Sequence, residues 1–393
     1  MSNGFIFTLW CCITTVVLQH HFIATPRIQA LEKQLRRAVA RNTQLEQVEQ
    51  IDEPGIRRNT NKDGLMEIEL EQQHSIHQGK HGIFVTSLLD PWVGGSLREY
   101  GEWSEQELHL FKSIVSVGDI VIDAGANIGA FTIPLAKHVG PLGRVFAFEA
   151  QRRLHHLLSA NIALNNLMNV RNPHVALGDA VGASIQVPNV NFTVEGNFGG
   201  VSLVDRTYPA SQTHTIQKVN LDDWFFDQWL LKGTEMEDST KGAASRICPK
   251  LVKIDVEGME EHIVRGFMDG IKRCQPVLYV ENNCVKDSPL LLHLLMDVLN
   301  YDVVWDVTPY YSKDNYKHSK RDLFHGLMSV NVLAVPQTLE TSLKDLYFGQ
   351  RTRVAKNGSY YLKDYAKSVS VLIGRPMQWV ATLQTGNRSY CKR

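Results

Sequence analysis

The chain has 393 residues, with 41 basic and 41 acidic side chains and no net charge. That balance gives no overall pull toward nucleic acid or an acidic membrane surface, so no nucleic-acid partner is expected. With 44% hydrophobic residues it has the apolar surface for one large domain, or two ordinary ones, with appendages.

The N-terminus is the first feature in chain order. Phe5 to Leu18 (FIFTLWCCITTVVL) carries no charge; Gln19, His20 and His21 interrupt the run, and Phe22-Ile23-Ala24 resume it. Phe5 to Ala24 is just long enough to span a bilayer as a helix. No positive region precedes it and no small-x-small site follows it, so residues 1–24 are expected to be an uncleaved anchor; a cleaved signal peptide is the alternative. Arg27, Lys33, Arg36, Arg37 and Arg41 would place the following flank in the cytoplasm. The sequons Asn191-Phe-Thr, Asn357-Gly-Ser and Asn387-Arg-Ser point the other way. Cys11 and Cys12 lie in the apolar run. Cys248, Cys274, Cys284 and Cys391 show no metal-ligand spacing; in a lumen they form up to two disulfides, and in the cytosol they are free thiols.

Residues 25–78 are read as a stem. Ile28, Leu31, Leu35 and Ala38 recur at helical spacing, and 53–78 is polar enough for a linker. From residue 79 to 336 helix and strand signals alternate. Ser104 is a candidate N-cap for a helix through Glu107, Leu108, Phe111 and Ile114. Asp119–Asp123 predicts a strand, Ile128–His138 a helix, Val145–Phe148 a second strand, Arg153–Asn165 a helix and Val170–Leu177 a third strand. Residues 182–220 predict inserted β-hairpins, and Leu221-Asp-Asp-Trp-Phe-Phe a helix packed on the sheet. Leu251–Ile254, Val277–Val280, Val303–Val307 and Met328–Val335 complete the strands; helices are predicted over Met259–Cys274 and Pro289–Leu299. Short apolar strands alternating with helices argue for an α/β fold, a mostly parallel sheet with helices on both faces. Residues 337–393 are a C-terminal extension.

In such sheets ligands bind at the carboxyl ends of the strands. The stretch VIDAGANIGAFTIPLA, Val121 to Ala136, runs from strand to helix through a turn bracketed by Gly125 and Gly129. Glycine there lets the backbone approach a ligand, and a new helix presents free N–H groups. Glu149 ends the second strand, where an acid can take two ribose hydroxyls. A dinucleotide site wants G-x-G-x-x-G. Here Asn127 stands at the middle position and Asp123 precedes the turn, a pairing that suits an ammonium better than a pyrophosphate. S-adenosylmethionine is therefore the expected cofactor. A dinucleotide, or a turn that holds no ligand, are the alternatives. Asp255 and Glu257 in KIDVEG end the fourth strand and are the candidate catalytic acids. Two close carboxylates raise one pKa toward that of a base able to take up a proton. With Glu281 they could instead hold a divalent cation, although no metal is assigned. Glu257 as a helix cap, with Lys253 in a structural ion pair, is the bland alternative. His81, His262, His318 and His325 read best as surface or packed histidines.

The motifs VGDIVIDAGANIGAFTIPLA, RVFAFEA, NVRNPHVALGD, LVKIDVEGMEEHIVRGF and PVLYVENN resemble the FkbM-type methyltransferases, a branch of the class I S-adenosylmethionine-dependent enzymes. The resemblance spans about residues 85–336. It implies a Rossmann-like, seven-stranded sheet of order 3-2-1-4-5-7-6 with the last strand antiparallel, and O-methylation of a sugar or polyketide hydroxyl. It places Asp123, Gly125, Asn127 and Gly129 at the amino-acid end of the cofactor. It places Glu149 at the ribose and Gly178 and Asp179 near the adenine. It also suggests a cofactor contact from Tyr100-Gly-Glu-Trp103. Tyr310, Tyr311 and Tyr316 are weaker acceptor-site candidates. The expected protein is a single-pass membrane methyltransferase acting on a glycan or small-molecule hydroxyl. Its layout of anchor, stem and domain is similar to that of Golgi or endoplasmic-reticulum enzymes. A non-catalytic adaptor built on the same domain is the rival.

Overall fold

The computed structural model describes residues 56–60, 66–70, 73–180, 182, 184–189, 191–202, 209–225, 248–283, 288–349 and 352–353. The expected anchor (1–24), the helical part of the stem, two of the three sequons and most of the C-terminal extension lie outside these residues. Among the described residues no helix is long and apolar enough to cross a membrane.

The chain divides into two units, Met1–Glu71 and Gln72–Arg393. In the first, β1 (Ile56–Thr60) pairs antiparallel with β2 (Met66–Leu70). The polar composition of 53–78 had suggested a linker, but polar side chains do not prevent strands whose backbone groups satisfy one another.

The second unit opens with an antiparallel pair, β3 (His74–Gly79) and β4 (Gly82–Ser87), followed by helices α1 (Val93–Glu99) and α2 (Glu105–Ile114). Its alternating part runs β5 (Ile120–Ala124), α3 (Thr132–Val139), β6 (Arg144–Phe148), α4 (Arg152–Leu164) and β7 (Val170–Arg171). β8 (Ala176–Leu177) comes next, and the insertion contains β9 (Ser184–Pro188) and β10 (Thr213–Val219). Then follow β11 (Pro249–Ile254), α5 (Glu260–Arg265), α6 (Met268–Cys274), β12 (Val277–Glu281) and α7 (Ser288–His293), which runs on as a wider π turn over Leu294–Val298. The end comprises β13 (Tyr301–Pro309), β14 (Met328–Pro336), α8 (Thr341–Phe348) and β15 (Thr352–Arg353).

The main sheet has the order β15-β13-β14-β12-β11-β5-β6-β7. Without the two-residue edge strand β15 this is the expected order 3-2-1-4-5-7-6. The strands from β7 to β12 are parallel, and β14 runs antiparallel to both of its neighbours. Alternation along each strand divides the core between two faces. Ile122, Phe146, Val252 and Leu278 pack with Ile263, Phe267, Ile271 and Leu295 on one face. Val121, Val145, Leu251 and Tyr279 pack with Leu108, Phe111 and Leu135 on the other. Every residue of β5 is buried, as expected for a strand covered on both sides.

Four local expectations are corrected. The predicted third strand splits, because Pro173 supplies no N–H to the ladder; β7 stays in the main sheet, and β8 joins β10 and β9 in a separate one. The helix predicted over Met259–Cys274 breaks at Gly266, where a Cβ would stand 2.0 Å from the Gly178 carbonyl oxygen. The helix after β5 begins at Thr132 rather than Ile128, since Asn127 (φ 52) and Gly129 (φ 92) leave the right-handed region. Ser104 occupies the N-cap position but with φ 42 and ψ 54, and its side chain makes no capping bond. The Leu221-Asp-Asp-Trp-Phe segment does begin helically, and Trp224 and Phe225 pack edge-on against Phe146. Cys248, at the start of β11, is disulfide-bonded to Cys274, at the end of α6.

Gly125 is fixed by the sheet itself. It has φ 79, and a Cβ there would come within 1.7 Å of the Asp255 carbonyl oxygen at the end of the neighbouring strand. Gly125→Ala is expected to destabilise the fold by about 3 kcal/mol, from strain plus displacement of the β11 end. Chemical denaturation checks this, and a loss under about 1 kcal/mol would contradict it.

Candidate active site

A cavity of about 330 Å3 lies over the carboxyl ends of the central strands. On the β6 side its wall is Gly125, Ala126 and Asn127 after β5, Phe148 at the end of β6 with Glu149 and Gln151 beyond it, and Val175, Ala176 and Leu177. In the middle are Lys253, Asp255 and Glu257. On the β14 side are Glu281, Tyr310, Leu327, Met328 and Ser329, faced by Trp92, Trp103 and Glu107. Asn197, Gly199, Gly200 and Val201 from the insertion close part of the rim.

Register explains the centre. Lys253 stands opposite Asp123 in the parallel β11–β5 pair, so the two side chains emerge side by side from one face. The Lys253 Nζ lies 3.3 Å from an Asp123 oxygen and 3.3 Å from Asp255. It donates to the Gly125 carbonyl at 3.1 Å and sits 5.5 Å from the centre of the Phe131 ring. Burial by itself would lower the pKa of this ammonium, but the Asp255 and Asp123 carboxylates outweigh burial and hold it above the ordinary lysine range. Asp123 is fully buried beneath the cavity floor and accepts a hydrogen bond from Thr132 Oγ1 at 2.7 Å. An ammonium is thus already present where the sequence had suggested Asp123 would attract one from a ligand.

Glu149 is buried at the cavity wall. Its two oxygens accept the backbone N–H groups of Asn127 and Gln151, both at 2.8 Å. Burial, aided by the Asp123 charge, pushes its pKa up to about 7 against those two bonds. Gln151 donates its Nε2 to the Phe198 carbonyl at 2.8 Å, which leaves its buried Oε1 without a partner at the cavity wall. Gly125 and Asn127 line the cavity, whereas Gly129 packs against Leu158. Gly178 and Asp179 are not brought to the cavity. Asp179 bonds His262 at 3.0 Å and Lys218 at 3.2 Å, and the His262 bond leads in pulling its pKa down to about 2.

Asp255, Glu257 and Glu281 converge from the ends of β11 and β12. Each brings one carboxylate oxygen within 4.8 Å of the other two, a set of hard oxygen donors that could hold a divalent cation. Asp255 leaves 40% of its side chain exposed. Glu257 has φ 54 and precedes Gly258 at φ 103, a sharp bend at the strand end. It caps no helix with its side chain; Glu260 instead accepts the N–H groups of Val256 and Gly258. Burial and then the Asp255 charge push Glu257 up to about 8. Glu281 is raised well above the usual range by burial and by Asp255 and Glu257.

Sequence reasoning missed Glu107 as a site residue. It lies on the buried stripe of α2, where an acid among Leu108, Phe111 and Ile114 was the available signal. It accepts hydrogen bonds from Thr308 at 2.7 Å and Asn331 at 3.2 Å, and burial raises it to about 7. Of the Tyr100–Trp103 segment, Trp103 alone reaches this cavity. Of the four histidines considered, none lines it; His81 pairs with Glu105 at 2.8 Å.

A doubly wound sheet of this strand order, with an acid at the end of its second strand and a cavity over the strand ends, is the Rossmann-like methyltransferase architecture. Residues 123–302 match the family model described as the methyltransferase FkbM domain. A tRNA(Phe) (4-demethylwyosine(37)-C(7)) aminocarboxypropyltransferase of Methanocaldococcus jannaschii is 39% identical over 71 residues, 17% of this chain and 28% of that protein. Methyltransferase 1 of Beauveria bassiana is 28% identical over 161 residues, 38% of this chain and 58% of that protein. The chain thus spans between about a quarter and three fifths of these relatives. A crystal structure of methyltransferase FkbM from Methylobacillus flagellatus aligns with 15% identity and a TM-score of 0.32, over 55% of this chain and 43% of that one.

Proposed function

We propose that this chain is an S-adenosylmethionine-dependent O-methyltransferase acting on a hydroxyl of a sugar or glycan. The observation that carries this reading is one cavity with two chemically distinct ends, joined at Asp255. Glu149 and the unpartnered Gln151 Oε1 stand at one end, and the carboxyl cluster of Asp255, Glu257 and Glu281 begins at the middle. The domain match to the FkbM family supports the same reaction class.

The cavity fits the cofactor. Glu149 would take the ribose hydroxyls, and Gln151 Oε1 would accept from an adenine amino group. Phe148, Val175 and Leu177 would line the base, and the backbone at Gly125–Asn127 would meet the amino-acid end. When bound, S-adenosylmethionine supplies a methyl group made electrophilic by the sulfonium. The residues of this chain then orient the acceptor and take up its proton. As the acceptor oxygen takes the methyl carbon, the sulfur–carbon bond would break with its electron pair left on sulfur as S-adenosylhomocysteine, and a carboxylate oxygen of Asp255 or Glu257 would take up the hydroxyl proton. Lys253 keeps the charge on Asp255 compensated while this happens. The three oxygens within 4.8 Å admit one other arrangement, in which Asp255, Glu257 and Glu281 would hold a divalent cation that would lower the pKa of the acceptor hydroxyl.

Calorimetry is the test. S-adenosylmethionine is expected to bind, and Glu149→Ala to weaken binding by about tenfold or more through loss of the ribose contacts. No binding at millimolar cofactor, or tighter binding of a nicotinamide dinucleotide, would overturn the reading; the former is what a non-catalytic adaptor would show.

A single-pass membrane location, with the anchor at Phe5–Ala24 and the domain in the Golgi or endoplasmic reticulum lumen, is part of this proposal. The Cys248–Cys274 disulfide supports an oxidising compartment, and the exposed Asn191 heads a sequon. Release of the full-length protein by carbonate would refute the anchor. A glycosidase-sensitive mass shift is expected for a lumenal domain.

A further inference from the structure

The half of the cavity away from Glu149 has its own composition. Trp92 precedes α1, Trp103 precedes α2 and Tyr310 follows β13, yet the three meet at one wall. Tyr310 stacks on Trp103, with centroids 5.3 Å apart and planes at 27°, and meets Trp92 edge-on at 5.7 Å. Phe324 backs the group, 5.2 Å from Tyr310 and 5.6 Å from Trp92. Trp92, Trp103 and Tyr310 are only half-buried and all line the cavity. Between Trp103 and Glu107 stands Ser104, held at φ 42 with a buried hydroxyl that has no partner. Strain of this kind in a non-glycine residue persists where surrounding structure imposes it, and it gathers at ligand sites.

The charges around this wall are one-sided. Among the described residues five carboxyl side chains line the cavity, namely Glu107, Glu149, Asp255, Glu257 and Glu281, against a single cation, Lys253. That cation is already shared between Asp123 and Asp255. An anionic acceptor would enter beside Glu107, Asp255, Glu257 and Glu281 with no free positive group to receive it. Aromatic faces, by contrast, take the C–H face of a hydroxylated ring, while carboxyls at its edge bond the hydroxyls.

We propose that Trp92, Trp103 and Tyr310 are the acceptor platform, and that the surrounding carboxyls make the site select an uncharged hydroxylated ring over its anionic counterpart. This inference rests on the methyltransferase reading and adds the acceptor subsite and its charge rule. An anion stripped of water there meets carboxyls and no free cation, which costs it at least about tenfold in affinity whether those carboxyls are charged or protonated.

The test uses the full chain with radiolabelled S-adenosylmethionine and two probes that differ in charge, methyl β-glucopyranoside and methyl β-glucopyranosiduronate. Binding of each probe is also measured by saturation-transfer NMR with S-adenosylhomocysteine present. The glucoside is expected to bind and be labelled at least about tenfold better than the glucuronide. Trp103→Ala and Tyr310→Leu are each expected to raise KM for the glucoside about tenfold or more. Their Kd for S-adenosylmethionine should stay within about twofold of wild type, which also reports that they fold; should Trp103→Ala not fold, Tyr310→Leu decides. Equal use of the glucuronide, no binding of the glucoside, or unchanged KM in the folded variants would each overturn the inference. Failure of wild type to bind S-adenosylmethionine would instead strike the methyltransferase reading itself.

Discussion

Asp255→Asn and Glu257→Gln are expected to lower kcat for methyl transfer, the variant at the true base by about 100- to 10,000-fold, with cofactor Kd nearly unchanged. Both substitutions keep size and hydrogen-bonding shape but remove the oxygen that accepts the acceptor's proton. The pH profile adds a sign. Glu257 is pushed up to about 8, so its basic form becomes populated only as pH rises through that value. The rate is expected to climb with pH and level off above about 8, and Glu257→Gln to abolish that step. The apparent pKa belongs to the carboxyl cluster rather than to one side chain, since Asp255, Glu257 and Glu281 act on one another. A profile flat from pH 6 to 9, with both variants near wild-type rates, would remove the cluster from the chemistry. Treatment with EDTA separates the two roles the carboxylates can play. A base keeps its activity; a cation site loses it and recovers on addition of magnesium.

Lys253→Met is expected to destabilise the fold by about 3–5 kcal/mol, a fall in Tm on the order of 10 °C. The side chain is 3% exposed and its partner Asp123 1% exposed, so the substitution leaves an uncompensated charge in the interior. Asp255 is better solvated and contributes less to the loss. Removing both members of the buried pair, as Lys253→Met with Asp123→Leu, should recover most of the stability, because an apolar pair has no desolvation cost. Thermal and denaturant unfolding of the two variants provide the measurement. A loss below about 1 kcal/mol in the single variant, or no recovery in the double one, would mean that Lys253 is not what holds the strand ends together. The single variant should also lose transfer activity, since Asp255 would no longer be held between Lys253 and the cavity.

Much of the frame is legible from residue pattern. The apolar strands at Ile120–Ala124, Arg144–Phe148 and Pro249–Ile254 are short and continuous, which suits burial on both faces, and the helices between them follow. Acids at the ends of those strands mark the cavity edge. Legibility stops where a residue's partner is remote. The glycine at 125 was legible as necessary, but its reason was not. A ligand was the natural explanation, whereas the Asp255 carbonyl, 130 residues onward, is what leaves no room for a Cβ. Asp179 stands beside its strand end as the motif implied, but its partners His262 and Lys218 were not legible. Glu107 looked like one more polar residue on a helix and proves to be buried at the cavity wall.

The sequence by itself determined the strand and helix periods and which acids stand at strand ends, because each depends on neighbours a few residues away; the strand order was implied by the family resemblance. The tertiary structure decided which of those acids meet, that Lys253 pairs with Asp123, and that Trp92, Trp103 and Tyr310 share one wall. Those outcomes depend on register between strands and on distances of a few ångströms between residues up to 218 positions apart. Charge and proton affinity follow such distances steeply, and no local pattern encodes them.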